Sequence, residues 1–170
     1  MNKKSDKNND LAILFPEIAN EADGWAPSKY APKSNERVDW VCKLGHKWSA
    51  RIVDRTNYNT GCPYCTNRKL LSGFNDLSTL HKAIANQASG WDPKEVFPGN
   101  SEKKKWQCEA GHIFEATPNS RTSRGTGCPY CSGRQLLEGF NDLKTSFPEI
   151  AQEADGWDPT KIYKSSTQRK

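Results

Sequence analysis

The sequence has few aliphatic residues and no long apolar segment. Only 34% of its 170 residues are hydrophobic, it contains a single Met, and its mean hydropathy is -0.90. No apolar run approaches the roughly 18 to 20 residues that span a bilayer, and the first ten residues contain nothing like a signal peptide. We therefore expect a cytoplasmic protein without membrane contacts, built from small domains that need a metal or disulfide to fold.

What the sequence does contain is an internal repeat of 66 residues. Leu11, Leu77 and Leu143 follow this interval, as do Trp25, Trp91 and Trp157. The repeat predicts a basic, polar and disordered N-terminus (1–10), a first module (11–76), a second module (77–142) and a truncated third copy (143–163) before a flexible tail (164–170). Terminal copies of repeat proteins often act as caps, so we expect the third copy to complete and cap the second module, as residues 77–88 would complete the first.

The six cysteines and two of the three histidines follow the same interval. Each module has a Cys-x3-His pair, fifteen intervening residues and a Cys-x2-Cys pair, a donor set that suits tetrahedral structural zinc. The predicted ligands of two zinc ions are Cys42, His46, Cys62 and Cys65, then Cys108, His112, Cys128 and Cys131.

Two other uses of these cysteines are weaker. Cys-Pro-Tyr-Cys is also a dithiol sequence of glutaredoxin-like enzymes, but that motif follows a strand in a βαβ unit and needs no Cys-x3-His pair upstream. Disulfide pairing would leave the recurrence of His46 and His112 unexplained. A catalytic zinc needs an open coordination position, and here protein fills all four, so we expect no enzyme activity.

The local pattern predicts short elements around these ligands. An apolar helical stretch covers residues 11–22, and Pro16 and Pro148 interrupt or restart helices. Asp76 and Asp142 occupy N-cap positions. Residues 37–42 and 46–53 form a hairpin turning at Gly45, and we expect Cys-x2-Cys at the start of a helix. The tryptophans that precede the ligands suit core packing, with base stacking as the alternative, and Trp48 is the better candidate for exposure.

These residues resemble a known family. Trp40-x-Cys42-x3-His46-x-Trp48, Gly61-Cys62-Pro63-Tyr64-Cys65, Gly-Phe-Asn-Asp-Leu-x-Thr and Phe147-Pro148-Glu149-Ile150-Ala151 are similar to the repeated "probable zinc-ribbon" domain of bacteria and phages. The resemblance implies a small, zinc-stabilised α+β fold of tandem treble-clef-like fingers, each a β-hairpin plus a helix, with linking helices. Members occur beside endonuclease domains, which points to work on DNA. The second copy departs from the pattern at Phe114 and at His81-Lys82.

Charge is the remaining evidence on function. The formal net charge is +5, and two zinc sites with three thiolates each would lower it by two. Basic residues cluster around the hairpins and the Cys-x2-Cys segments, and they suit sequence-nonspecific contacts with phosphates of DNA or RNA. The candidate nucleic-acid residues are Lys47, Trp48, Arg51, Arg55, Tyr58, Arg68, Lys69, Lys103, Lys104, Lys105, Arg121, Arg124 and Arg134.

The alternative function is a zinc-stabilised adaptor for protein partners, with an exposed apolar patch around Phe74 and Phe140 as its marker. Neither reading involves a small-molecule substrate.

Overall fold

The computed structural model describes residues 9–167, and the chain divides into two compact units between Asn75 and Asp76. Of the predicted tails, residues 1–8 and 168–170 lie outside the described residues, whereas residues 164–167 belong to them. Each unit contains a pair of very short helices, a 3-10 turn, a two-stranded hairpin, one further helix and a loop that carries the second cysteine pair. Every helix within residues 9–167 is too short or too polar to cross a bilayer.

The elements recur in the same order in both units. The first unit has α1 (Leu11–Leu14), α2 (Pro16–Ala19), β1 (Arg37–Val41), β2 (Lys47–Arg51) and α3 (Ile52–Thr56). The second has α4 (Leu77–Leu80), α5 (Lys82–Ala85), β3 (Lys104–Gln107), β4 (Ile113–Ala116) and α6 (Pro118–Arg124), then the third copy's α7 (Leu143–Ser146) and α8 (Pro148–Ala151).

Each helix pair begins at an aspartate and breaks after one turn. The carboxylates of Asp76 and Asp142 accept backbone N–H bonds of 2.8 Å from the residues three positions on, as the N-cap prediction requires. The predicted helix over residues 11–22 is divided at Phe15, where φ is -136° and ψ is 62°. His81 adopts nearly the same angles although Lys82 replaces the proline, so the break is a property of the packing and does not depend on proline.

Both hairpins are antiparallel, and their registers match. Trp40 lies opposite Trp48 in the first, and Trp106 lies opposite Phe114 in the second. Gly45, at the turn between the strands, has a φ of 80°, a left-handed conformation that glycine adopts without steric cost. The alternation along each strand turns the aromatic residues inward and charged residues outward.

The second cysteine pair stands in a turn, where we expected the start of a helix. Residues 63–67 form consecutive turns, and the N–H groups of Arg68 and Lys69 both return to the carbonyl of Pro63. Asn67 has a φ of 54°. A left-handed residue ends a right-handed turn, which explains why the chain leaves the loop before a helix can form.

The two apolar cores correct the expected pairing of helices with fingers. The first core contains Leu11, Trp40, Trp48, Ile52 and Cys62, and the second contains Leu77, Ala85, Trp106, Phe114 and Cys128. Each hairpin is therefore covered by the helix pair that precedes it in sequence. The expectation that residues 77–88 complete the first finger is wrong, because these residues bury their apolar side chains in the second core.

The third copy contacts the second cysteine loop and the segment after it through residues that follow its helix pair, and not through the helix pair itself. Tyr163 forms an isolated bridge with Asp142, its hydroxyl lies against Gly133, and Lys161 pairs with Glu138. The helices α7 and α8 have no buried residue. The helix pair of the third copy thus stays outside the second core.

Candidate metal centres and nucleic-acid interface

The structure brings the eight predicted metal ligands together as two clusters of four. Within each cluster the Cys Sγ and His Nδ1 atoms all lie within 4.8 Å of one another. In the first, Cys42 Sγ is 3.8 Å from Cys65 Sγ, and His46 Nδ1 is 3.3 Å from Cys65 Sγ. A tetrahedral zinc with Zn–S bonds of about 2.3 Å has S···S edges of about 3.8 Å. The second cluster repeats the distances, with 3.8 Å from Cys108 Sγ to Cys131 Sγ.

The hairpin turn and the cysteine loop hold each cluster from opposite sides. The N–H of Cys42 donates to the His46 carbonyl, and the N–H of Gly45 donates to the Cys42 carbonyl, so the Cys-x3-His pair sits on a closed turn. Such a rigid pair of turns presents four ligands with little loss of chain entropy on metal binding.

Electrostatics at the thiols favour a bound cation. Desolvation opposes ionisation of Cys42, but bonds from the backbone of Leu44 and His46 outweigh it and lower the pKa of this thiol. Desolvation and the nearby sulfurs of Cys62 and Cys42 raise the pKa of Cys65 to about 12. Three thiolates this close repel one another, so all three can ionise together only around a metal ion. Cys108 and Cys131 behave in the same way.

The last three side chains of the motif Gly-Phe-Asn-Asp contact the metal cluster, the cysteine loop and the following helix. Phe74 packs edge-on against the ligand His46 with 4.2 Å between ring centroids, and Phe140 packs against His112 at 4.1 Å. The buried amide of Asn75 donates to the carbonyls of Tyr64 and Lys69 and accepts from the Leu71 N–H. The final aspartate caps the next helix. Phe74 and Phe140 are thus engaged with the metal ligands, although Phe140 keeps a partly exposed ring.

Arg55, one of the predicted phosphate contacts, is buried in the first core. It is 5% exposed, and its guanidinium lies 4.5 Å from the ring centroid of Trp40 and 5.1 Å from that of Trp48. Its Nη2 donates to Glu21 Oε2 at 2.6 Å. A buried guanidinium that lies over two aromatic rings and pairs with a carboxylate cannot reach a phosphate, so Arg55 is not part of a nucleic-acid interface.

Arg121 has the same position in the second unit and requires the same correction. It is 6% exposed, lies 4.5 Å from the Trp106 ring and 5.3 Å from the Phe114 ring, and donates to the Gln87 side-chain oxygen at 2.7 Å. Desolvation lowers the pKa of its guanidinium, and the sulfurs of Cys128 and Cys108 act in the opposite direction. The buried guanidinium therefore interacts electrostatically with the two thiolates and offsets part of the negative charge of the zinc site.

The aromatic predictions divide into buried and exposed residues. Trp48 is 9% exposed, so its predicted exposure is wrong: the residue faces the arginine inside the hairpin. Trp25 packs edge-on against Trp40, and Trp91 against Trp106, at 5.0 and 4.9 Å, as the core-packing interpretation requires. Tyr58 is 70% exposed in the loop after α3 and remains available for stacking.

The other predicted basic residues lie at the surface, and several have local partners. Lys47 pairs with Asp23, Arg51 with Asp54 and Lys104 with Glu102. Arg68 and Arg134 are exposed but also brace the cysteine loops, because each donates through Nη2 to a loop carbonyl, that of Gly61 or Gly127. Within residues 9–167, the predicted basic residues with exposed side chains and neither an ion pair nor a side-chain hydrogen bond are Lys69, Lys103, Lys105 and Arg124.

An open cleft lies between the hairpin and the cysteine loop in both units. The first has a volume of about 350 Å³ and includes Arg37, Arg68 and Lys69 in its walls. The second has a volume of about 390 Å³ and includes Lys103 and Arg134. Arg37 and Lys103 are 66 residues apart, as are Arg68 and Arg134. Arg37 was missed from the sequence, although its counterpart Lys103 and the repeat interval together could have identified it.

Comparison with known families agrees with the assignment of each hairpin to the helix pair that precedes it. A family model described as "Probable Treble clef zinc finger domain" matches residues 17–68 and 84–134, together more than half of the chain. Each match runs from the second helix of a pair to the loop of the second cysteine pair, so it includes the helix that precedes the hairpin. The chain has no match among curated proteins. The predicted resemblance, fold class and complement of two zinc ions are confirmed.

Proposed function

The chain belongs to the family described as "Probable Treble clef zinc finger domain", and from this premise we propose that it is a non-catalytic protein that binds nucleic acid. The two zinc ions have a structural part in this proposal, because four protein ligands at each site leave no position for a substrate. An intracellular, reducing compartment belongs to the same proposal, since it keeps the thiols available for zinc.

The observation that carries the proposal is the recurrence of a basic cleft at the same place in both units. Two cationic positions are kept in register, Arg37 with Lys103 and Arg68 with Arg134. In each unit one of these side chains stands on or beside the hairpin and the other on the cysteine loop. A carboxylate, Asp54 or Glu115, also lines each cleft, and the cations outnumber it in both units. A phosphate in the cleft would meet donors from two sides.

The chemistry of these contacts predicts little sequence preference. Phosphates carry no base identity, and the positions that recur in both clefts are cations, which suit phosphate contacts. Tyr58, on the exposed loop after α3, would stack on a base only if that base is unpaired. We expect binding to single-stranded nucleic acid to be at least as tight as binding to duplex.

The test is fluorescence anisotropy with labelled single-stranded and duplex DNA and RNA of one length, titrated over a range of salt concentrations. The variant Arg37→Ala/Lys69→Ala/Lys103→Ala removes three exposed cleft charges and leaves the braces Arg68 and Arg134 in place. Each lost phosphate contact lowers the slope of log affinity against log salt by about 0.7 to 0.9, so the slope should fall by roughly two.

The matched control removes three positive charges outside the clefts, as Lys29→Ala/Lys82→Ala/Lys94→Ala. These lysines are exposed on the helix pairs and the 3-10 turns that follow them. Equal loss of binding in both triple variants would show that only net charge matters, which would contradict a role for the clefts. No binding to any probe at low salt would contradict the function itself.

The second candidate function is an adaptor for protein partners. The observation that favours it is an exposed apolar surface on the third copy, where Phe147 is 46% and Ile150 is 53% exposed. The surface around Phe74 and Phe140 supports it less, because both rings pack on metal ligands. A partner complex that survives nuclease treatment, together with absence of binding in the anisotropy experiment, would favour the adaptor.

A further inference from the structure

The two basic clefts occupy the same place in the repeat but differ in the number of their cations. Each has one cation at the start of its hairpin and another on its cysteine loop. The first cleft adds a third cation, Lys69, where the second has the neutral Gln135. Lys69 is exposed and has no ion pair within residues 9–167, so its charge is available to a ligand.

The carboxylates that line the two clefts differ in their surroundings. Asp54, in the first cleft, accepts hydrogen bonds of 3.1 Å from Arg51 Nε and 2.7 Å from Arg51 Nη2, so a neighbouring cation offsets its charge. Glu115, in the second cleft, is exposed and forms no ion pair in the described part of the chain, although Lys105 lies opposite it in the hairpin register. Only the second cleft therefore presents an uncompensated negative charge to an anion.

One wall of each cleft is the outer edge of the second strand of the hairpin. Residues 48–50 line the first cleft and residues 114–116 the second. Because successive side chains of a strand point to opposite faces, three consecutive residues line one cleft only along the edge of the strand. The N–H of Cys42 donates to the His46 carbonyl, and with the strand register this directs the N–H of Ser49 away from β1. That N–H has no hydrogen-bond partner among residues 9–167, so it can donate to a phosphate oxygen.

Arg37 places its guanidinium beside the same strand edge. Its Nη1 donates to the Ser49 carbonyl at 3.0 Å, and the other donors of the guanidinium remain for a ligand. In the second unit Glu115 stands at the position of Ser49, and its carboxylate repels an anion that approaches the matching edge. The position shared by Ser49 and Glu115 is therefore the one at which the two clefts differ most towards a phosphate.

An exposed aromatic ring stands next to the first cleft but not next to the second. Tyr58 is 70% exposed and precedes by two residues Thr60, which lines the first cleft. Its counterpart in the second unit is Arg124, which has no aromatic ring. A strand whose phosphate lies in the first cleft can therefore place a neighbouring unpaired base on this ring.

We propose that the first cleft is the principal nucleic-acid site of the chain and that it holds a single-stranded segment, with a phosphate against the Ser49 N–H and the cations Arg37 and Lys69. A neighbouring base stacks on Tyr58. The second cleft binds the same strand weakly, because Glu115 occupies the position of Ser49. This inference rests on the proposed function and adds to it the place and the strandedness of the ligand. The contacts are to phosphate and to the face of a base, which DNA and RNA share.

Surface charge outside the clefts has the opposite trend and so provides a rival location for the ligand. On the first strand of the hairpin the first unit has Asp39, whereas the second unit has Lys105, which is exposed. If general surface charge determined binding, the strand would lie along the second hairpin. If the clefts determine it, the strand lies against Ser49 in the first unit, and the two locations are separated by experiment.

The direct test is an NMR titration of the zinc-loaded, 15N-labelled 170-residue chain. The probes are single strands of about eight thymidine or eight uridine nucleotides, within the range of site sizes of single-strand binders. We expect the largest shifts at the amides of Ser49 and Gly61 and much smaller ones at Glu115 and Gly127, which are the matching cleft residues. Equal shifts in both clefts, or the largest shifts along residues 104–107, would overturn the inference and leave the proposed function in place. No shift with either probe at low salt would overturn both.

The variant Ser49→Glu/Lys69→Gln gives the first cleft the two residues that the second cleft already has, so the fold accepts them. Each change lowers the charge beside the phosphate by one unit, and we expect the affinity for both strands to fall about ten-fold or more. The control Lys29→Gln/Lys82→Gln lowers the net charge equally at exposed positions outside the clefts. It should change the affinity by about two-fold or less at physiological salt, where distant charges are screened. Equal losses in the two variants would contradict a specific role of the first cleft.

The reciprocal variant Glu115→Ser/Gln135→Lys gives the second cleft the residues of the first. Combined with Ser49→Glu/Lys69→Gln, it restores the net charge of the original chain. We therefore expect the combined variant to bind the strands again, with the largest NMR shifts now in the second cleft. Shifts that stay in the first cleft, or that disappear from both clefts, would overturn the role of these positions.

The stacking contact is tested with Tyr58→Ala and Tyr58→Phe. The alanine variant should bind single strands about ten-fold more weakly, the effect of losing one stacked base, and should bind a duplex of the same length as before. The phenylalanine variant keeps the ring and should keep the affinity. Equal weakening for single strand and duplex, or no effect of Tyr58→Ala, would contradict a single-stranded ligand on this residue.

Discussion

Arg55 can occupy the interior of the first unit because of the shape of its guanidinium. The planar group lies over the rings of Trp40 and Trp48 while its Nη2 donates to Glu21, so the cation meets two aromatic rings and a carboxylate. Among residues 9–167 its Nε and Nη1 have no hydrogen-bond partner, and the contact with the two rings offsets part of that cost. A lysine has no planar group to place in this position.

We therefore predict that Arg55→Lys destabilises the first unit by about 2 to 3 kcal/mol, the range for losing a desolvated cation–π contact together with a charge-assisted hydrogen bond. Denaturant unfolding of the zinc-loaded protein, followed through tryptophan fluorescence, measures this. The control is Arg51→Lys, because Arg51 is exposed and its pair with Asp54 lies at the surface. That change should stay within about 0.5 kcal/mol, and equal effects of the two substitutions would contradict the assigned role.

At the scale of elements, the cysteine loops end at a left-handed residue that differs between the copies. The first loop uses Asn67 and the second uses Gly133, whose φ is 69°. Tyr163 fills the space beside Gly133, and an added Cβ at this position would overlap the tyrosine hydroxyl. The glycine thus ends the turn and also admits the third copy against the second loop.

We predict that Gly133→Ala releases the segment around Tyr163 and costs more stability than the conformational strain alone. Gly139→Ala is the matched control, since Gly139 has a φ of 77° and open space where an added Cβ would stand. The control should cost about 1 kcal/mol from the left-handed backbone. Hydrogen exchange should become faster at residues 161–164 in Gly133→Ala but not in Gly139→Ala. Unchanged exchange in both would contradict the contact.

The elements and ligands that could be predicted from the sequence are those fixed by short-range chemistry. Cysteine and histidine spacing, aspartate caps and the glycine turn each depend on residues a few positions apart, so Cys42, Asp76 and Gly45 were all identified correctly. The prediction for Arg55 is wrong because an arginine near a metal site looks the same in sequence whether it faces solvent or lies buried over Trp40 and Trp48. That difference depends on packing between segments far apart in the chain.

The assignment of helix pairs to fingers had a similar limit. A repeat has no intrinsic starting point, so the interval of 66 residues is compatible with a unit that begins or ends with the helix pair. Only the packing of Leu11 beneath Trp40, and of Leu77 beneath Trp106, resolves the choice. The same packing leaves the helix pair of the third copy outside both cores, a difference from the first two copies that the sequence alone does not show.

At the scale of the whole molecule, the two units have separate metal clusters and no core residue in common. We predict that Cys62→Ser removes zinc from the first site and disorders that unit, while the second unit keeps its fold. Elemental analysis should then give about one zinc per chain in place of two, and the indole signals of Trp91 and Trp106 should stay at their original positions. Loss of both ions would contradict independent units.

Zinc binding and protonation should be coupled in both units, and the direction follows from the thiol pKa values. Without a cation, desolvation and neighbouring sulfurs raise the pKa of Cys65 and Cys131 to about 12, so at neutral pH these thiols hold protons that zinc must displace. Binding therefore releases protons. In the zinc-loaded state the same thiols have a pKa far below that of the unfolded chain, about 8.5.

The stability that zinc contributes is accordingly present above this unfolded-state value and is lost as the pH falls through the zinc-loaded one. Calorimetry of zinc binding at pH 7 in buffers of different ionisation enthalpy should show release of about two to three protons per site. Acid titration should release zinc and the hairpin fold together. A proton release near zero would mean that the thiols are already ionised without metal, and would contradict this account of the cluster.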